Sequence, residues 1–155
     1  MNLGNPTDRR PPFKFSAFTR VGFSDTDAQG IVYYGRYLPY FDLARVEYDR
    51  YLELLDREVG EEEFVMRASS VVYEAPARFD DLLEVFVRTR RIGRTSLTTA
   101  YCALRVDDDM LMCTAEQTLV LVSAGDRRPT PISDRYRRTV AGFEGADVEL
   151  AVPSE

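Results

Sequence analysis

The stretch YGRYLPYFDLARVEYDRYLELLD, residues 34–56, decides the fold. Tyr37, Phe41, Ala44, Tyr48, Tyr51 and Leu55 recur at spacings of four and three, and Leu38 and Leu52 widen the stripe. Arg36, Asp42, Arg45, Asp49, Arg50 and Glu53 fill the remaining positions. That period is helical, and the run is long enough for about six turns. Pro39 is tolerated only in a first turn, so the helix is expected to start at Tyr37 or just before it.

On both sides of this stretch the period changes to two. Upstream, Phe13, Phe15, Ala17, Val21 and Phe23 alternate with Lys14, Ser16 and Arg20, the pattern of a half-buried strand. The turn formers Ser24-Asp25-Thr26-Asp27-Ala28-Gln29-Gly30 interrupt it before the helix. Downstream, after a solvated loop at Gly60-Glu61-Glu62-Glu63, strands are expected near 64–76, 82–92, 95–106 and 110–123. Gly93-Arg94 and the acidic turn Asp107-Asp108-Asp109 punctuate them. Residues 1–12, with three prolines and few apolar side chains, read as a flexible lead. The domain is expected over 13–141, with a short helix near 133–141 and a tail over 142–155. A lone helix cannot bury a broad apolar stripe by itself, so the sheet must supply the opposing layer. The expected class is α+β, a curved antiparallel sheet wrapped around one long central helix.

Composition narrows the chemistry. The 155 residues suit one domain. Net charge is −6, which argues against a phosphate-backbone partner, so no nucleic acid is expected, although local arginine clusters leave an anionic small molecule open. There is no histidine, which excludes Ser-His-Asp triads, Cys-His pairs and histidine-based zinc sites. Lys14 is the only lysine, and its place in the first strand makes a Schiff base an unpromising mechanism. Any proton transfer must then run through Asp, Glu, Tyr, Lys or water. Cys102 and Cys113 have no metal-ligand spacing and read as free core thiols. No stretch approaches 18 apolar residues, so no membrane span is expected. The N-terminus lacks the apolar run of a signal peptide, and a cytoplasmic location is expected.

The segment Phe23-Ser24-Asp25-Thr26-Asp27-Ala28-Gln29-Gly30-Ile31-Val32-Tyr33-Tyr34-Gly35-Arg36-Tyr37 resembles the signature of the 4-hydroxybenzoyl-CoA thioesterase family. The likeness continues in Phe41 to Glu47, in Tyr73-Glu74-Ala75-Pro76-Ala77-Arg78-Phe79-Asp80-Asp81 through Val85, and in Arg94-Thr95-Ser96-Leu97. It spans roughly residues 15 to 123, and it is more specific for the family than for a substrate. The resemblance implies the hot-dog fold and hydrolysis of an acyl-CoA, aryl or fatty, to free acid and coenzyme A, with no cofactor. It implies that Asp27 is the catalytic carboxylate and that the backbone N–H of Tyr34 polarises the thioester carbonyl. Tyr34 itself matches the hydroxybenzoyl branch, where a Tol-Pal-associated branch typically carries histidine.

The chemistry of these residue types agrees with those roles. Thioester hydrolysis needs a nucleophile or a base for water, and donors for the developing oxyanion. An ionised carboxylate serves as either, Gly30 permits close backbone approach, and a helix start presents unpaired N–H groups. Substrate contacts are expected from Gly30, Tyr33, Tyr37, Asp42, Arg94, Thr95 and Ser96. For Asp42, pairing with Arg45 on the helix surface is the rival reading. Arg88, Arg90, Arg91, Arg94, Arg127 and Arg128 are candidates for the phosphates of coenzyme A, against the alternative of a solvated strand face. Exposed sheet edges imply a homodimer or a homotetramer. Two rivals to an acyl-CoA hydrolase are a non-catalytic acyl-CoA-binding protein on the same fold and a thioesterase for acyl-carrier protein.

Overall fold

The alternation that begins at Phe13 forms one strand of a seven-stranded sheet in the computed structural model, which describes residues 3–55 and 62–151. The strands are β1 (Gly4–Arg10), β2 (Phe13–Arg20), β3 (Glu62–Tyr73), β4 (Leu82–Ile92), β5 (Ser96–Arg105), β6 (Met110–Ser123) and β7 (Glu149–Leu150). The helices are α1 (Tyr37–Tyr51) and α2 (Asp134–Glu144). The sheet order is β1-β2-β4-β5-β6-β3, antiparallel throughout, with β7 added parallel to β4.

Register explains which face is covered. Val85 and Val87 pair with Ala103 and Tyr101, which pair in turn with Cys113 and Ala115. Side chains of one parity share a face, so these six form a floor. The α1 stripe of Tyr37, Tyr40, Phe41, Ala44 and Tyr48 packs onto it, and all five are buried. Phe41 stacks on Tyr101 at 4.7 Å, and Tyr48 meets Phe15 edge-on at 5.8 Å. Burying a side chain such as Phe41 contributes about 2 kcal/mol, so this layer dominates stability. On the opposite face Phe86, Cys102 and Leu104 form a smaller cluster under Phe13 and Leu111. Cys102 and Cys113 are therefore buried on opposite faces of neighbouring strands, unpaired.

Several boundaries differ from expectation. α1 has 15 residues, shorter than the six turns expected. Glu53 adopts a left-handed φ of 59°, which stops the helix and turns Leu54 into a second apolar cluster with Ile92, Leu97 and Leu119. Leu55, the last position of the apolar period, thus lies beyond the helix, and Leu54 beside it belongs to another packing unit. Asp56, Gly60 and Glu61 lie outside the described residues, and Glu62-Glu63 open β3 instead of closing a loop. The expected lead is a strand: β1 pairs with β2, and Arg9 forms an ion pair with the buried Glu84. α2 runs on to Glu144, and β7 follows, so the stretch expected as a tail contributes to the fold.

Glu144 is fully buried. Its Oε2 accepts hydrogen bonds from the Tyr48 hydroxyl (2.6 Å) and the Thr89 N–H (3.0 Å), while the Thr89 hydroxyl donates to the Tyr48 oxygen (3.0 Å). Burial raises the proton affinity of Glu144 above the usual carboxylate range and pushes Tyr48 well above its own. The cluster fastens α1, β4 and α2 together. Among the described residues no helix is long and apolar enough to cross a membrane.

Candidate active site

The turn between β2 and α1 is held by its two aspartates in different ways. The Asp25 Oδ2 accepts from the Gly22 N–H and the Tyr40 hydroxyl, both at 2.8 Å. Its Oδ1 lies 3.6 Å from Arg36 Nε, and its carbonyl accepts the Tyr33 N–H at 2.9 Å. Burial and the neighbouring carboxylate keep the Tyr40 phenol protonated, so Asp25 is a fixed tie between loop and helix.

Asp27 is fastened through its backbone. Its N–H donates to Ile31 O (2.9 Å) and its carbonyl accepts the Gly30 N–H (3.0 Å). Gly30 closes this turn at φ +78°, a left-handed value at which a Cβ is strained even though none would clash here. The Asp27 Oδ1 accepts the Gln29 N–H at 2.8 Å, while Oδ2 has no hydrogen bond among the described residues. One carboxylate oxygen is therefore anchored and the other is available.

Asp27 lines a cavity of about 470 Å³. Tyr34, Tyr37 and Tyr73 supply its aromatic walls, Ile31, Val32, Ala75 and Pro76 its aliphatic ones, and Gln29 and Glu74 the remaining polar groups. Tyr34 opens a single 3-10 turn, Tyr34–Arg36, that feeds α1, and its N–H donates to no group among the described residues. The Tyr73 hydroxyl donates to the Tyr34 carbonyl at 2.9 Å and thereby fixes this turn to the end of β3. The Tyr33 ring lies against Tyr34 with centres 4.3 Å apart and planes tilted by 39°, outside the cavity wall. Tyr37 is 2% exposed, and its hydroxyl has no hydrogen-bond partner at bonding distance. Burial pushes this phenol up to about 12, with the Ala77 amide pulling the other way.

The chain brings together Asp27, Gly30, Tyr34 and Tyr37, with Tyr33 behind them. It does not bring Asp42 or Arg94-Thr95-Ser96 to this cavity. Asp42 accepts a hydrogen bond from Arg45 Nη2 at 3.2 Å on the surface of α1. Arg94 and Thr95 form the β4–β5 turn, where Thr95 O accepts Leu121 N–H and Arg94 O accepts Ile132 N–H. Ser96 pairs with Val120 of β6, whereas Tyr73 pairs with Cys113, so about 23 Å of strand separates the two ends. Gln29, Ile31, Tyr73 and Glu74 line the cavity without having been singled out as site residues. Tyr73-Glu74 stood within a family-like segment, but strand alternation gives no sign that β3 ends at Tyr73 and turns into a cavity wall. Among the described residues no group of three or more Asp, Glu, Cys or His side chains is arranged to hold a metal.

A carboxylate with a free oxygen, an unbonded N–H and an apolar cavity on the same loop together suit attack on a polarised carbonyl. Comparison with known proteins points the same way. The family model described as "Thioesterase-like superfamily" matches residues 21–140. The Haemophilus influenzae protein named acyl-CoA thioesterase YbgC is 31% identical over 118 residues, covering 74% of this chain and 85% of that protein. Among solved structures, a thioesterase-superfamily protein from Jannaschia sp. CCS1 superposes with a TM-score of 0.81 at 20% identity, covering 90% of this chain and 88% of that one. A 1,4-dihydroxy-2-naphthoyl-CoA thioesterase from Synechocystis gives 0.76 at 19% identity, covering 83% and 96%. At these identities the two structural likenesses speak for the fold.

Proposed function

The chain belongs to the thioesterase-like superfamily, a family of hot-dog thioester hydrolases, and on that footing we propose that it cleaves an acyl-CoA to a free acid and coenzyme A. The observation that carries the reading is Oδ2 of Asp27, without a hydrogen bond among the described residues, beside a 470 Å³ cavity on the same β2–α1 connection as the Tyr34 N–H. In the proposed reaction the thioester carbonyl oxygen accepts a hydrogen bond from that N–H. Asp27 either attacks the carbonyl carbon, giving an anhydride that water then opens, or removes a proton from the attacking water. Both routes add one water, release the acid, and return the thiolate sulfur with a proton as coenzyme A. Gly30 sets the turn, Tyr33 braces the Tyr34 ring, and Tyr37 contacts the acyl group.

Asp42 and Arg94-Thr95-Ser96 enter this proposal through a second copy of the chain. β3 is bonded to β6 on one side only, and its exposed Met66, Val72 and Tyr73 lie along the open edge. Antiparallel pairing of two β3 edges would bring the β4–β5 turn of one copy toward the Tyr73 end of the other. A homodimer, or a tetramer of such dimers, follows from this proposal. Arg94 would then be placed to meet the phosphates of coenzyme A. The cytoplasm, where thiols remain reduced, suits the two unpaired cysteines.

The test is coenzyme A release from a panel of aryl- and fatty-acyl-CoAs, comparing the native chain with Asp27→Asn. Loss of a key acid, base or nucleophile lowers kcat by about a hundredfold or more. Binding without turnover by the native chain would replace the hydrolase with a carrier of acyl-CoA, and an equally active Asp27→Asn would remove Asp27 from the mechanism.

A further inference from the structure

Two phenylalanines from distant parts of the chain stand together in the solvent. Phe23 is 81% exposed and Phe79 is 55% exposed, and their rings meet edge-on at 5.9 Å with planes at 80°. Hydrogen bonds fix both segments. Val21 N–H donates to Asp81 O (2.9 Å), Asp80 N–H donates to Val21 O (3.0 Å), and Phe23 O accepts the Thr26 hydroxyl at 2.9 Å. The pair is therefore a held corner of the surface. Phenylalanine is ordinarily buried, and apolar side chains clustered in the open mark a surface that meets something else.

The same two segments build the Asp27 cavity. Ile31 bridges to Arg78, and Val32 N–H donates to Ala77 O at 2.8 Å, so cavity wall and aromatic corner share one backbone frame. Phe79 follows the wall residue Pro76 by three positions, at most about 11 Å of chain. Cations flank it. Arg78 is exposed, and its guanidinium has no ion pair or hydrogen bond among the described residues. Arg20 Nη1 donates to Asp80 O at 2.9 Å and lies 3.9 Å from the Asp80 carboxylate, which leaves Arg78 as the uncompensated charge of the two.

Two perpendicular rings suit a flat aromatic ring, which stacks on one and turns its edge toward the other. An unpaired guanidinium beside them suits a phosphate. Coenzyme A carries both groups beyond its pantetheine arm, at the opposite end from the sulfur. A purely apolar partner would make no use of Arg78. Resting on the acyl-CoA hydrolase reading, we infer that Phe23 and Phe79 form a platform for the adenine of coenzyme A, with Arg78 on a phosphate of the same nucleotide. Coenzyme A has more than one phosphate, so Arg94 of a second copy and Arg78 are not rivals. The platform makes the protein distinguish a thioester of coenzyme A from the same thioester without its nucleotide.

The test presents hexanoyl and benzoyl groups on coenzyme A and on pantetheine, which keeps the arm and lacks the nucleotide. In the native protein kcat/KM is expected to be about fiftyfold higher on coenzyme A, the worth of one base stack and one charged contact. Phe79→Ala is expected to lower that ratio about tenfold, as is Phe23→Ala. Arg78→Gln is expected to lower it about fivefold at low salt and less at high salt. Equal losses on both carriers in Phe79→Ala would show a merely structural ring and overturn the inference. A native ratio near one would also overturn it and leave the corner to a protein, such as one that bears the arm itself.

Equilibrium binding of adenosine 3′,5′-bisphosphate, the nucleotide end alone, separates this from failure of the parent reading. Binding that Phe79→Ala weakens about tenfold, in a native protein that turns over no thioester, would sink the hydrolase and keep the platform. Turnover that is equal on the two carriers would do the reverse.

Discussion

Two carboxylates flank α1 and have opposite characters. Asp27, on the turn before the helix, is exposed, held by backbone bonds, and has one oxygen without a hydrogen bond among the described residues. Glu144, packed against Tyr48 in the second half of the helix, is wholly buried and clamps two neighbours with one oxygen. Burial shifts the titration of Glu144, yet this is the carboxylate that a substrate cannot reach. A perturbed proton affinity therefore marks the packing joint here, and reactivity is better sought where a carboxylate is fixed yet incompletely bonded. Glu144 serves cohesion, whereas Asp27 has the setting for chemistry.

The sharpest way to break this contrast is to exchange the two phenotypes. Asp27→Asn is expected to lose at least about a hundredfold in kcat while its Tm moves by no more than about 2 °C, as for a surface change. Glu144→Ala is expected to do the reverse. It leaves the Tyr48 hydroxyl and the Thr89 N–H unsatisfied in the core, which costs about 3 kcal/mol, or roughly 6–12 °C in Tm. Turnover per folded molecule is expected to stay within a few-fold. A large loss of kcat with an unchanged melt in Glu144→Ala would dissolve the division.

The pH dependence of stability gives a finer test. Glu144 has a folded-state affinity raised above the ordinary 4.5, so its protonated form is the one folding favours. That contribution is complete below the unfolded value and is lost as pH rises through the raised folded one. Relative to Glu144→Gln, the native protein is expected to lose thermal stability across that window. Parallel Tm curves for the two would show that Glu144 does not titrate differently in the fold.

Smaller effects probe the reactive end. Gly30→Ala meets no neighbour, so its penalty is the left-handed φ alone, about 1 kcal/mol, visible as a Tm lower by roughly 2–4 °C. Asp42→Ala removes a half-exposed i,i+3 pair with Arg45 and is expected to change stability by less than about 0.5 kcal/mol. In the proposed pairing of two copies it is expected to lower kcat/KM by about tenfold, the worth of one hydrogen bond to substrate. A change within about twofold would leave Asp42 to its surface pair with Arg45 and take it out of the site.

Much of this was readable in the amino-acid order, for physical reasons that also explain the gaps. β4, β5 and β6 run between punctuating turns, and most side chains of β4 and β5 and half of those of β6 are buried, so their bounds fall within a residue or so of expectation. β1 escaped notice because its residues are mostly exposed, and an edge strand held by backbone pairing leaves no apolar period. The helix was read too long because Leu55 sustains the stripe after Glu53 has ended the turn. At the site, local order identified the turn that holds Asp27 and Gly30, since turn chemistry is local. The walls from Tyr73 and Glu74 come from a strand more than forty residues away, and no local signal places them beside it.

The two buried cysteines have a practical consequence. Cys102 and Cys113 are nearly inaccessible, and burial raises both thiols, Cys113 to about 12. Little thiolate exists on the native protein at neutral pH, and what exists is shielded. The folded chain should therefore be almost silent toward a thiol-reactive dye, while each unfolded chain exposes two sulfhydryls. One reagent can then serve two readouts, a product counter during turnover and a denaturation alarm when the substrate is left out.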